Sequence, residues 1–209
     1  MAGEPDDRNV ADTSAARRAA AVAGHTGDEA AARALLAHLA ADVRAASLRA
    51  LARMGSLRDD DVRAALDDPS PAVRRRALAV AIPSSAVDLV PLLRDADASV
   101  VEQCAWALGE REDADAAVVD ELVAVCGHAD ALVREAAVAA LGAIGDERGL
   151  PAILAACEDK PAIRRRAVLA LAPFDGPAVD AALARAAEDR DWQVRDAADI
   201  VSGARPPAP

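Results

Sequence analysis

The stretch DALVREAAVAALGAIG, residues 130–145, decides the fold of this chain. It opens on Asp130, a residue type that caps helix N-termini, and closes on Gly145, a residue type that ends helices in the left-handed conformation. Between them, apolar residues recur at steps of three and four, at Val133, Ala136, Ala137, Ala140, Leu141 and Ile144. This spacing predicts one amphipathic helix with its own start and stop signals.

The same pattern is written seven times along the 209 residues. Aligning the copies on their first apolar residue gives seven anchors, namely Ala16, Val43, Val73, Val100, Val133, Ile163 and Val194. A period near thirty residues, roughly one helix pair, is typical of solenoids in which each pair packs only on its neighbours. We therefore expect an all-α, right-handed α-solenoid of about six helix pairs, preceded by an N-terminal half-repeat.

The spacing also predicts where each helix lies. The second helices of the pairs are expected at 13–23, 41–53, 71–81, 98–109, 131–143, 161–171 and 192–201. The first helices are expected at 28–39, 59–66, 85–93, 115–125, 148–157 and 177–187. We expect residues 1–11 to be a flexible N-terminus, residues 12–202 to form a single repeat domain, and residues 203–209 to be a disordered tail rich in proline.

Composition agrees with closely packed helices. Hydrophobic residues make up 53% of the chain and aromatic residues only 1%, so alanine, a small residue with the best helix propensity, supplies much of the apolar surface. The net charge is −11, which disfavours binding to nucleic acid or anionic membranes. Acid richness with a single lysine is also typical of a halophilic or high-GC source. We expect a cytoplasmic protein, monomeric or weakly oligomeric, because no membrane-spanning run or signal peptide is apparent.

An acid before the anchor and an arginine after it recur in several copies. Asp68 precedes Val73-Arg74, Glu158 precedes Ile163-Arg164, and Asp189 precedes Val194-Arg195. This order resembles the signature of HEAT repeats, and the segments VREAAVAALG (133–142) and AWALG (105–109) are similar to the HEAT-like repeats named after phycobilisome lyases. The resemblance covers about residues 12–202 and implies the fold. It does not imply one activity, because such repeats serve lyases, hydroxylases and scaffolds.

The arginine that follows the anchor recurs in six copies, at Arg17, Arg44, Arg74, Arg134, Arg164 and Arg195. Its planar fork of donors can bridge to acids and carbonyls at the turn of the next repeat, so we interpret the set as a structural ladder. The pattern has gaps. Val101 stands in place of the arginine in the fourth copy, and His38 and His128 replace the acid in the second and fifth.

Enzymatic alternatives were weighed against the same residues. HEAT-like deoxyhypusine hydroxylases bind two irons through adjacent His-Glu pairs, but His25, His38 and His128 do not precede a glutamate. A bilin-lyase-like role or an auxiliary-subunit role stays open, although no residue can be assigned to it. Cys104, on the buried stripe, and Cys126 lack the basic setting that activates a thiol. The glycines are interpreted as repeat terminators. We therefore expect no catalytic residue, cofactor or metal.

The remaining hypothesis is a protein-interaction scaffold. The positions two and six residues after each anchor are predicted to point away from the buried stripe and to line the concave face of the solenoid. An exposed tryptophan surrounded by charge is typical of an interaction hot spot, although Trp106 could also pack between repeats. The predicted partner-binding residues, for an unidentified protein partner, are Arg75, Arg76, Glu102, Gln103, Trp106, Glu135 and Arg165.

Overall fold

The computed structural model describes residues 7–204, with side chains from residue 11 to residue 203. In this range the chain forms twelve α-helices and two short 3-10 helices, and no strand is present among the described residues. Contacts divide the chain at Asp88 and Leu89 into two units. Each unit is a stack of helix pairs, which confirms the predicted all-α, α-solenoid fold class.

The first unit contains five α-helices. They are α1 (Asp7–Thr26), α2 (Glu29–Ala34), α3 (Ala41–Met54), α4 (Asp59–Leu66) and α5 (Pro71–Ala81). The helices α1, α3 and α5 pack on one another in that order, and α2 and α4 pack on α3 and α5. Ala23, Ala32, Ala50 and Leu51 form a buried cluster where α1, α2 and α3 meet. Small side chains let these helix axes approach closely.

The second unit contains seven α-helices. They are α6 (Ala98–Gly109), α7 (Ala116–Val125), α8 (Ala131–Ile144), α9 (Leu150–Ala156), α10 (Pro161–Ala170), α11 (Pro177–Ala187) and α12 (Trp192–Ala204). The two 3-10 helices, Val90–Arg94 and Glu147–Gly149, belong to the same unit. The second helices α6, α8, α10 and α12 contact one another in sequence. Their seam is lined by residues such as Val100, Val133, Leu141, Ile163 and Ala167, each at most 1% exposed.

Three predicted helices differ from the observed ones by more than three residues at one end. The helix expected at 28–39 is α2, which ends at Ala34, five residues early. α1 begins at Asp7, six residues before the expected start, so Thr13 lies inside a helix rather than at its cap. The expected first helix at 85–93 is only the 3-10 helix Val90–Arg94. Pro91, inside the expected helix, lacks the N–H that an α-helix needs beyond its first turn, which disfavours an α-helix over 85–93. The predicted flexible N-terminus (1–11) and disordered tail (203–209) fall mainly outside the described residues, and a single domain over 12–202 stays a prediction.

The predicted helix signals are confirmed where aspartate begins a second helix. Side-chain oxygens of Asp97 and Asp130 accept hydrogen bonds from N–H groups of their own first turns, at 2.9 and 2.8 Å. Gly145 ends α8 with φ of 71°, in the left-handed region that glycine adopts without strain. Gly109 is the last residue of α6, as expected of a terminator, whereas Gly142 lies inside α8. A Cβ atom built on Gly142 would lie 2.5 Å from Cβ of Ala170, so this glycine serves close packing.

The predicted arginine ladder is present within each unit. Arg164 donates from Nε and Nη2 to the two carboxylate oxygens of Asp189, both at 2.8 Å, and from Nη1 to the carbonyl of Asp159 at 2.9 Å. Arg134 binds Asp159 in the same bidentate way at 2.8 and 2.9 Å, and Arg44 binds Asp68 at 2.7 Å. Asp159 holds the place that the sequence pattern assigned to Glu158. Each arginine therefore ties its own turn to the next one.

One rung of the ladder is missing in the second unit. Val101 is buried at 1% exposure and carries no donor. At the turn that follows, Nδ1 of His128 accepts the N–H of Asp130 at 3.0 Å, as the Asp189 carboxylate accepts the N–H of Asp191 at 2.8 Å. His128 thus replaces the acid as a turn acceptor but not as an ion-pair partner. Residues 101 and 128 are the two positions that would form one ion pair of the ladder, so its arginine and its acid are missing together.

The ladder makes stability depend on pH in the acid range. The guanidinium hydrogen bonds hold the pKa of Asp68, Asp159 and Asp189 below the ordinary aspartate range. Because the pKa is lower in the folded than in the unfolded state, the stabilisation is complete above the unfolded value of about 3.9 and is lost as pH falls through the folded value. We expect the thermal midpoint, followed by circular dichroism, to fall below about pH 4. An Asp159→Asn variant should have a lower thermal midpoint at pH 7, and its midpoint should fall less steeply as the pH is lowered. The same pH dependence in parent and variant would contradict this origin.

Candidate functional site

A groove lies between α6 and α8 in the second unit. It has a volume of about 520 Å³. Its lining residues, all from α6, α8 and one position of α10, are Glu102, Gln103, Trp106, Gly109, Glu110, Leu132, Glu135, Ala136, Ala139, Ala140, Ala143 and Arg166. The volume falls in the range of small-molecule and side-chain binding sites.

The groove owes its shape to side-chain size. Its floor is formed by alanines of α8, namely Ala136, Ala139, Ala140 and Ala143. α6 contributes Gly109, where an added Cβ would lie only 2.6 Å from Cα of Ala140. The absence of a side chain at Gly109 therefore lets α6 and α8 touch through their backbones at one end of the groove. The small floor residues leave the space above them open.

Two large apolar side chains border this space. Trp106 is 44% exposed and Leu132 is 58% exposed. Trp106 lies six residues after the anchor Val100, and the neighbouring positions Ala105 and Ala107 are fully buried. The open question of whether Trp106 is packed away between repeats is thus answered, since almost half of the side chain faces solvent. An indole in this position offers a broad apolar face next to a floor of alanines.

The charges around the groove are mostly negative. Glu102, Glu110 and Glu135 line it against a single arginine, Arg166. Glu135 Oε1 lies 3.6 Å from Nε of Arg166, which forms a loose ion pair. Within residues 7–204, Glu102 and Glu110 form no hydrogen bond or ion pair through their carboxylates. Two carboxylates therefore remain available on the same helix as Trp106.

The structure brings together four of the seven predicted site residues. Glu102, Gln103 and Trp106 on α6 and Glu135 on α8 line the groove. Arg165 on α10 is half-buried but does not line it, whereas its neighbour Arg166 does. The other two predicted residues, Arg75 and Arg76, lie on α5 of the first unit. Arg75 is exposed, and burial, with added repulsion from Arg49 and Arg75, lowers the pKa of Arg76.

Of the eight lining residues outside the predicted set, three carry a charge or a large apolar side chain, namely Glu110, Leu132 and Arg166. Glu110 lies four positions after Trp106, which places it on the same helical face. Leu132 precedes the anchor Val133 in the first turn of α8, and its exposure at 58% has no sequence signal of its own. Arg166 is the residue after the predicted Arg165 on α10. The helical period from Trp106 could have indicated Glu110; the other two depend on how α6, α8 and α10 pack.

The cysteines are structural rather than reactive. Sγ of Cys104 donates to the carbonyl of Leu89 at 3.1 Å, and Oγ of Ser47, at the equivalent position of the first unit, donates to the carbonyl of Ala32 at 2.6 Å. Burial raises the pKa of Cys126 and of Cys157 to about 11. These thiols are therefore protonated near neutral pH and are poor nucleophiles.

Two further searches concern metals and membranes. Among the side chains that the structure describes, no group of three or more His, Cys, Asp or Glu residues is placed to hold a metal ion. None of the helices within residues 7–204 combines the length and the apolar character needed to cross a bilayer.

Comparison with known proteins bears on the fold. No curated protein matches the chain. Among solved structures, the YibA protein of Escherichia coli is 18% identical with a TM-score of 0.64, and the alignment spans 82% of this chain but 66%, just under two thirds, of YibA. A designed armadillo repeat protein in complex with the peptide (KR)4 is 17% identical with a TM-score of 0.50, over 96% of this chain and 95% of its own.

Human deoxyhypusine hydroxylase, solved in complex with glycerol, is 19% identical with a TM-score of 0.48, over 90% of this chain and 76% of its own. A likeness at that level says nothing about activity. Residues 86–162 match the family described as HEAT repeats, a stretch that includes all of α6, α7 and α8. The lyase-type subgroup is not singled out by this match. Residues 86–162 are thus HEAT repeats, and the chain has the fold of the HEAT- and armadillo-type α-solenoids.

Proposed function

We propose that this protein is a non-enzymatic scaffold or adaptor that binds a protein partner, with the groove between α6 and α8 as its principal contact. The observation that carries the proposal is the exposure of Trp106, at 44%, inside a groove of about 520 Å³. Monomeric proteins rarely leave a tryptophan open beside a second large apolar residue such as Leu132 unless the patch is used. Tryptophan is also the residue most enriched among binding hot spots.

The scaffold proposal assigns a role to each predicted residue. Trp106 is the apolar anchor, Glu102 and Glu135 pair with bases of the partner, and Gln103 donates and accepts hydrogen bonds beside them. Arg75, Arg76 and Arg165 pair with acids of the partner. Docking on helices costs little conformational entropy, because the residues that make contact are already ordered.

Fold-level precedent supports the proposal. The designed armadillo repeat protein with a similar fold holds a peptide, (KR)4. A protein of this fold is therefore able to bind a peptide. A cytoplasmic setting and function without a cofactor belong to the same proposal.

The test is a selection from a random dodecapeptide library displayed on phage, with purified protein as bait. We expect enriched peptides that bind the unmodified chain and lose at least about tenfold in affinity with Trp106→Ala, because a buried aromatic hot spot is worth about 2 kcal/mol or more. Trp192→Ala is the matched control, since Trp192 is 64% exposed on α12 and does not line the groove. Both variants must keep the helical circular dichroism of the parent.

Two results would overturn the proposal. The first is a selection that enriches no peptide above empty beads. The second is a set of peptides that bind the Trp106→Ala variant as tightly as the parent chain, which would place the contact elsewhere.

A further inference from the structure

We propose that the occupant of the groove between α6 and α8 is a cationic side chain, arginine in the first place, carried by an extended basic segment of the partner protein. This inference rests on the proposed function and adds the chemistry of the partner to it. It depends on three features of α6 and its surroundings: an acid–tryptophan–acid row, an excess of carboxylates, and the C-terminal end of the helix.

The row consists of Glu102, Trp106 and Glu110. These residues are four positions apart, so they lie along one face of α6, with about 6 Å of helix rise between neighbours. All three line the groove. A guanidinium that stacks on the indole of Trp106 is attracted by the negative face of the ring and lies within reach of a carboxylate on either side.

The balance of charge excludes an anionic occupant. Three carboxylates face one guanidinium in the groove, and that guanidinium, of Arg166, already lies 3.6 Å from Glu135. An incoming acid would meet the carboxylates of Glu102 and Glu110. Its one counter-charge would be Arg166, whose Nε makes no hydrogen bond among the described residues but already faces Glu135. An incoming base instead meets two carboxylates that have no partner among the described residues.

The end of α6 adds to this attraction. Glu110 is the C-cap residue, and its own N–H donates to the carbonyl of Trp106 at 3.2 Å. The last carbonyls of a helix carry partial negative charge, which stabilises cations at that end. No basic residue lies in the last turn of α6 to neutralise it. The groove thus presents backbone and side-chain negative charge in the same place.

The floor of the groove selects a long side chain with an apolar stem. Ala136, Ala139 and Ala143 offer a shallow apolar surface, on which the methylene groups of arginine or lysine can lie while the charged head reaches the carboxylates. Arginine fits better than lysine, because its planar head stacks on an indole and binds a carboxylate through two donors. A purely aliphatic side chain would contact the apolar floor but would leave the carboxylates without a partner.

The experiment follows the fluorescence of Trp106. In a Trp192→Phe background Trp106 is the sole tryptophan of the chain, so its emission reports on the groove directly. The probes are octa-arginine, octalysine and octaglutamate, each titrated in 50 mM salt. We expect a saturable change with octa-arginine, a weaker one with octalysine and none with octaglutamate.

The variant that tests the row is Glu102→Gln with Glu110→Gln, which should weaken octa-arginine binding at least about tenfold. Its matched control is Glu147→Gln with Glu188→Gln, two exposed acids outside the groove that form no ion pair among the described residues. The control changes net charge equally and should alter affinity less than about twofold. Equal weakening in both double variants would show unspecific charge attraction and would overturn the inference.

The two proposals fail separately. If octa-arginine leaves Trp106 emission unchanged while library peptides still require Trp106, the cationic occupant is wrong and the scaffold proposal stands. If neither octa-arginine nor any library peptide depends on Trp106, both proposals are wrong.

Discussion

Replacing Arg164 with alanine is expected to lower the free energy of unfolding by about 3 kcal/mol. Arg164 is only 9% exposed and forms a bidentate pair with Asp189, whose side chain is 15% exposed. Removal of the guanidinium leaves the Asp189 carboxylate with little access to water and also frees the carbonyl of Asp159. The loss of one partner of a buried pair is costly because the remaining charge is uncompensated. Urea denaturation followed by circular dichroism measures the effect.

The adjacent Arg165 supplies the control. It forms no hydrogen bond or ion pair through its side chain within the described residues, so Arg165→Ala should change stability by at most about 0.5 kcal/mol. A double replacement, Arg164→Leu with Asp189→Leu, should recover much of the loss, since it removes both charges together. Equal, small effects of Arg164→Ala and Arg165→Ala would show that the ladder does not stabilise the fold.

The second large effect is expected at Gly142. Helix propensity alone predicts that Gly142→Ala stabilises the chain by about 1 kcal/mol. Packing predicts the opposite sign, because the new Cβ would lie 2.5 Å from Cβ and 2.7 Å from Cα of Ala170. Overpacking of this kind costs about 1–3 kcal/mol, and backbone on the facing helix cannot rotate away. We expect a net loss of about 2 kcal/mol in thermal or chemical denaturation.

Gly203 is the matched control for this substitution. It lies in α12, and nothing is found within 4 Å of a Cβ built on it. Gly203→Ala should therefore follow propensity and leave stability unchanged or raised by up to about 1 kcal/mol. A loss of stability with Gly142→Ala and a gain with Gly203→Ala would confirm that close packing requires glycine at position 142. A gain of stability with both substitutions would refute it.

The repeat pattern was sufficient to predict the fold class and most helix bounds. The signal is strong because each copy repeats the same apolar spacing, so an error in one copy is corrected by its neighbours. α3, α5, α8 and α11 begin at or within one residue of the expected position and end within one. The failure at 85–93 has a local cause, since Pro91 interrupts the backbone hydrogen bonds that an α-helix would need there.

The candidate site was predictable only in part. The helical period places Glu102 and Trp106 on one face, and this is a property of a single helix. The position of Arg166 beside Glu135 depends on the packing of α10 against α8, which no local pattern encodes. The acid that binds Arg134 was missed for a similar reason: Glu158 and Asp159 are adjacent, and only the shape of the turn decides which carboxylate faces the arginine.

The arginine ladder has a consequence for how such a chain can change length. Arg134 and Asp159 are 25 residues apart, and so are Arg164 and Asp189. Excision of residues 135–164 would therefore present Arg134 to Asp189 in the register that Arg164 now occupies. A deletion that removes only part of a helix pair would set donor and acceptor out of phase. We therefore expect such a chain to gain or lose whole helix pairs, because each pair supplies the arginine whose aspartate partner belongs to the following pair.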